Sequence, residues 1–120
     1  MAGLMETGTG RSWTALEWRT VGGDLLITVT GGESPHIGAA ALAVWENGAP
    51  VVRFLQVPGH REKELACLCA EAACRAAERT VLVTCGIHID GASREEIRRL
   101  CANVERLVHS LTERLRDGGS

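Results

Sequence analysis

No stretch of this chain is apolar for long enough to cross a membrane, and neither sign of charge dominates. Thirteen Lys and Arg against 15 Asp and Glu leave a net charge of -2 at pH 7. The first absence argues against a membrane-spanning helix. The second gives no reason to expect nucleic acid or an anionic membrane as partner. Met1 to Arg11 lacks the apolar core of a secretory signal, so the expected location is the cytoplasm. Also missing is any C-x-x-C pair among the five cysteines Cys67, Cys69, Cys74, Cys85 and Cys101. An odd count without a close pair argues against a disulfide framework or a zinc knuckle. Cys67, Cys69 and Cys74 share an Ala-rich segment and read as small apolar side chains. No G-x-S-x-G, P-loop or G-x-G-x-x-G stands in its required setting. Two nucleophile pairs remain to be weighed, Cys85 with His88 and Ser34 with His36, and neither amounts to a motif. Enzyme activity is thus left open, but no residue pattern points to a reaction, and no catalytic residue is expected.

What is present is an ordered run of elements. At 120 residues and 45% apolar composition the chain suits one domain with its own core. That domain is expected over 13–116, between a loose tail at 1–12 and a short one at 117–120. Trp13 to Thr20 alternates in part, and Gly22-Gly23 signals a hairpin into the β-branched run Asp24 to Thr30. Gly38 to Glu46 and Pro50 to Val57 form a second hairpin around Asn47-Gly48, the preferred dipeptide of a type I′ turn. The period then changes. Leu65, Leu68, Cys69, Ala72, Ala73 and Ala76 mark one face of a helix from about Arg61 to Arg79. Thr80 to Cys85 is apolar on both faces, as a buried strand is. Ser93-Arg94-Glu95-Glu96 is a capping box that opens a second helix, whose stripe runs from Ile97 to Leu115. The expected fold is α+β in the order ββββαβα, a mostly antiparallel sheet with two helices packed on it.

Strand directions then bring the histidines together. With the end of Asp24 to Thr30 taken as the top, the connections bearing His36, His60 and His88 all fall on the top rim. Two helices begin there, and unpaired amides at a helix start favour an anion such as phosphate. Glycines at 31, 32, 59, 86 and 91 let the backbone approach a ligand closely. Arg61 and Lys63 add positive charge that Glu62 and Glu64 offset. His36, His60 and His88, with Asp90, are the expected ligands if a divalent metal binds. The same groups equally suit hydrogen bonding to a polar ligand or proton transfer. His109 lies deep in the second helix and is assigned no role. Trp13, Trp18 and Trp45 read as core side chains before ring-stacking ones.

The segments GGDLLITVTGGESPHIGAAALA, PGHREKELA and TVLVTCGIHIDGASREEI resemble the prenylated-flavin chaperone family (LpdD-like), over about Leu16 to Leu115. The family is similar in general form to the proteasome-assembly-chaperone fold. The resemblance implies binding of prenylated FMN or FMN and its delivery to, or maturation for, a UbiD-type decarboxylase. That enzyme and a flavin prenyltransferase are the implied partners. The expected cofactor contacts are Gly31, Gly32, Ser34, His36, His60, Arg61, Gly86, His88, Asp90 and Ser93. A small sheet with an open face or edge is expected to be covered by a second copy, giving a homodimer. Two other readings compete. One is an assembly chaperone with a broad apolar contact surface and no small-molecule pocket, and the other a small metal-dependent enzyme using the histidine rim.

Overall fold

The computed structural model describes residues 2–60 and 62–118. Six strands and two helices follow in the order β1 (Ala2–Thr7), β2 (Thr14–Val21), β3 (Asp24–Gly32), β4 (Ala39–Glu46), β5 (Ala49–Gln56), α1 (Lys63–Ala77), β6 (Val81–His88) and α2 (Arg94–Arg116). They form one sheet in the spatial order β1-β2-β3-β6-β4-β5. Only β3 and β6 run parallel; every other pair is antiparallel. The expected α+β architecture is the one observed, with β6 in the middle of the sheet. Asn47 and Gly48 both have positive φ, as the type I′ turn requires.

The N-terminus departs from expectation. Residues expected as a loose tail form β1 and a short 3-10 turn at Gly10–Ser12. The whole of β1 pairs with the Thr14 to Arg19 stretch of β2, and a β-carbon at Gly3 would run into the indole of Trp18. Glycine there lets the buried Trp18 ring lie beneath the edge strand. The turn is tied to α2 by Asn103, whose amide donates to the Ser12 carbonyl at 2.9 Å.

Both helices pack on one face. α1 covers β4, β5 and β6, α2 covers β1, β2 and β3, and the two helices touch each other. The buried side of α1 is Ala66, Cys69, Ala70, Ala73 and Cys74, which keeps Cys69 and Ala73 of the expected stripe and shifts its centre away from Leu65, Leu68, Ala72 and Ala76. Small side chains let this helix approach the Ala39, Ala41 and Ala43 row of β4 closely, so the leucines turn to its flanks. α2 buries Leu100, Val104, Leu107, Val108, Leu111 and Leu115 as expected, and leaves Ile97 half-exposed. Among the described residues, no helix covers the other face of the sheet. Leu42 on β4 and Leu82 on β6 are register partners, and both are exposed while their neighbours Ala41, Ala43, Val81 and Val83 are buried.

Candidate functional site

The connections after β3, β5 and β6 meet at one end of the sheet. Because β6 lies between β3 and β4, the segment 33–38 must cross the end of β6 as a strap. The amides of Glu33 and Ser34 donate to the His88 carbonyl at 2.8 and 3.4 Å, and the Gly38 amide donates to the Cys85 carbonyl at 2.9 Å. A β-carbon at Gly86 would coincide with the His36 carbonyl. The glycines at 31, 32 and 86, read from the sequence as places of ligand approach, instead admit the chain's own carbonyls of Trp13, His88 and His36.

This crossing seats the imidazoles. The His36 and His60 rings lie 4.8 Å apart, and the His88 ring stands edge-on to His36 at 6.3 Å. His36 Nδ1 lies 2.8 Å from the Ser34 carbonyl, which only accepts, so Nδ1 bears the proton. His36 Nε2 is 3.1 Å from His60 Nδ1 and 3.1 Å from Glu62 Oε1, and the last two atoms are 3.8 Å apart. Glu62 is only 8% exposed, and its Oε2 has no hydrogen-bond partner among the described residues. A side chain at Gly38 would displace that carboxylate.

From the sequence, His88 is expected beside His36 and His60 as a metal ligand. The structure seats Glu62 there, at the N-cap of α1, while His88 Nε2 pairs with Asp90 Oδ1 at 2.7 Å. Extended backbone puts residues two apart on the same side, which makes that pairing local. Glu62 entered the sequence reading only as a charge offsetting Arg61 and Lys63. Its sole visible signal was a carboxylate two residues after a loop histidine, at a helix start. Lys63 lies over the Phe54 ring at 4.6 Å, and Arg61 falls outside the described residues.

The second helix start is already occupied. Glu96 donates its amide to the Ser93 hydroxyl at 3.1 Å and accepts the Ser93 amide at 3.0 Å, the full capping box. Ser93 therefore caps α2, and Glu96 supplies the negative charge a ligand phosphate would have brought. Arg11, another residue of the supposed tail, clasps Glu96 at 2.8 Å, contacts Glu33 at 3.5 Å and donates to the Asp90 carbonyl at 2.9 Å. It thereby pins the strap and the β6–α2 connection to one another. The Ser93 amide and then Arg11 hold the Glu96 carboxyl below its usual range. The stabilising contribution is present at neutral pH and is lost as acid protonates Glu96. By contrast α1 begins with no side-chain cap.

Between the starts of α1 and α2 and the end of β6 lies a cavity of about 480 Å³. Leu65, Ile87, Ile89, Ile97 and Leu100 make an apolar wall, and His60, Glu62 and His88 a polar edge. The wall includes none of the three tryptophans. Trp18 is in the core, Trp45 packs against it, and Trp13 donates to Glu6 at 3.0 Å. His109 is exposed on α2 beside Glu113.

Cys85 does not serve as a nucleophile here. It is fully buried, and burial first, then Glu62, pushes its thiol up to about 12. Cys69 and Cys74 are fully buried as well, and Cys67 and Cys101 only partly so. Alkylation of the native protein at mildly alkaline pH should therefore mark Cys67 and Cys101 and spare the other three, as peptide mass spectrometry would show. Labelling of Cys85 in the folded protein would contradict its burial.

The fold places the chain among α+β domains with a mostly antiparallel sheet and two helices on one face. One solved structure, a novel chaperone complex for yeast 20S proteasome assembly, superposes with a TM-score of 0.62 at 10% identity, covering 95% of this chain and 98% of that one. No curated protein matches the chain by sequence. Residues 8–116 match the model of the prenylated flavin chaperone LpdD-like domain, and the chain belongs to that family. The family assignment agrees with a flavin-binding chaperone role.

Proposed function

We propose that this chain binds prenylated FMN in the cavity beside β6 and carries it to, or matures it for, a UbiD-type decarboxylase. The observation that supports this reading is the cavity itself. Its size falls in the range of cofactor pockets, and it sets an apolar wall opposite a histidine-rich edge. An isoalloxazine with an added prenyl-derived ring offers the matching surfaces, a broad apolar body and polar carbonyls at its margin. A carrier must also let go. Moderate affinity in an accessible cavity suits release to a partner, whereas very tight binding would make release slow. The flavin prenyltransferase would be the donor and the decarboxylase the recipient, in the cytoplasm. A second copy of the chain would cover the sheet face bearing Leu42 and Leu82, so light scattering at micromolar concentration should return twice the monomer mass. A monomer would remove the dimer from the proposal.

The test of the binding site is a titration with prenylated FMN followed by fluorescence quenching. His60→Ala and His88→Ala should each weaken binding by about fivefold or more, the equivalent of one lost hydrogen bond at roughly 1 kcal/mol, and His36→Ala should weaken it as well by loosening His60 and Glu62 beside it. Their melting temperatures should stay close to that of the parent, because rim side chains contribute little to the core. His109→Ala should bind normally. Rim variants that bind like the parent, or a His109→Ala that weakens binding as much as they do, would refute the shared site.

A further inference from the structure

His36, His60 and Glu62 do not make sense as a set of hydrogen bonds alone. The Ser34 carbonyl holds the proton of His36 on Nδ1, so a neutral His36 presents a lone pair at Nε2. That lone pair faces Glu62 Oε1 and His60 Nδ1, each at 3.1 Å. A proton on His60 Nδ1 would satisfy one of these contacts and leave the carboxylate oxygen against a lone pair. Glu62 Oε2 meanwhile has no donor among the described residues, and its side chain is about nine-tenths buried. An ionised group withdrawn from water and left short of donors is costly, so positive charge belongs among these three atoms.

The geometry says which kind. The three ligand atoms form a triangle with edges of 3.1, 3.1 and 3.8 Å. The point equidistant from its corners lies about 2 Å from each, the length of a zinc–nitrogen or zinc–oxygen bond. We propose that His36 Nε2, His60 Nδ1 and Glu62 Oε1 bind one divalent first-row transition ion, with coordination left open toward the cavity. Two imidazoles and one carboxylate suit zinc, cobalt, nickel, iron or manganese, whereas calcium and magnesium favour all-oxygen shells. The Ser34 carbonyl on His36 Nδ1 is the outer bond that typically fixes a ligating imidazole and raises its basicity. Gly38 leaves the room in which the Glu62 carboxylate sits. His60 and Glu62 both line the cavity, so the open side of the ion meets whatever lies there and takes an anionic oxygen from it. Metal binding itself stands apart from the flavin reading; only the ion's service to a cavity ligand rests on that reading.

The experiment uses the full chain, freed of metal by chelator and without flavin, titrated with cobalt(II) near neutral pH. One ion should bind per chain, give visible absorption of a nitrogen- and oxygen-ligated site, and be displaced by zinc. Glu62→Gln and His36→Ala should weaken binding by roughly a hundredfold or more, since even outer-shell changes cost ten- to a hundredfold. His88→Ala and His109→Ala should stay within about twofold, as surface changes away from a site do. Zinc should raise the melting temperature of the parent and leave that of Glu62→Gln unmoved, with circular dichroism confirming that the variant is folded. Three results would overturn the site: a parent chain that binds no stoichiometric cobalt, a folded Glu62→Gln that binds as tightly as the parent, or a His88→Ala as damaging as Glu62→Gln. Because flavin is absent throughout, failure here leaves the flavin titration standing, and failure of that titration leaves the ion site standing.

Discussion

Gly86→Ala should cost about 3 kcal/mol of stability, the upper end for overpacking a well-filled interior, and should abolish flavin and metal binding together. The added methyl would meet the backbone carbonyl of His36 rather than a side chain that can swing aside. Relief requires the strap 33–38 to lift from β6, against the bonds from Glu33, Ser34 and Gly38 that hold it down. A lifted strap carries His36 away from His60 and Glu62. Thermal unfolding and the two titrations measure the outcome. A Gly86→Ala protein with the parent's melting temperature and both affinities would show that the strap does not need this glycine.

Leu111→Ala should separate stability from function. Leu111 is fully buried in the core, and removing such a side chain costs about 3 to 5 kcal/mol through lost burial and the cavity left behind. The melting temperature should fall by roughly 15 °C on the scaling for a domain of this size. Leu111 lies about 27 Å along α2 from Ser93, at 1.5 Å per residue. Well below the transition, flavin and cobalt should therefore bind to Leu111→Ala as they do to the parent. Loss of either affinity in the folded variant would tie the site to the far end of the helix.

How far the fold could be read depended on whether a feature is local. The Asn47-Gly48 turn, the capping box at Ser93 and the β-branched run at Asp24 are encoded by neighbours in sequence, and all three stand where expected. β1 is hidden because its meaning lies in a partner: Gly3 looks like part of a loose segment until the Trp18 ring is packed against it. The buried face of α1 is only partly legible because leucine outweighs alanine in any hydrophobic pattern, while the neighbouring β4 row is itself alanine and favours close approach. At the site, the meeting of three histidine loops followed from strand directions alone. Glu62 and Arg11 did not follow, since the reach of a long side chain across 26 residues to His36 or 85 to Glu96 leaves no periodic trace.

The central place of β6 has a consequence for synthesis. It is the last strand to be translated, yet β3 and β4 pair only with it on their inner edges. While β6 is still within the ribosome, the nascent chain holds β1-β2-β3 and β4-β5 as two pieces without a shared ladder. Each displays an unpaired edge of the kind that recruits other chains. At translation rates of about 5 to 20 residues per second, the gap between the emergence of β3 and of β6 lasts several seconds. The strap has nothing to lie across in that interval, and the imidazoles have no common rim. Insertion of Val81–His88 closes both edges and gives the strap and the imidazoles their common rim, and α2 then adds Ile97 and Leu100 to the cavity wall, so a product truncated before β6 is at once aggregation-prone and blind to its ligand.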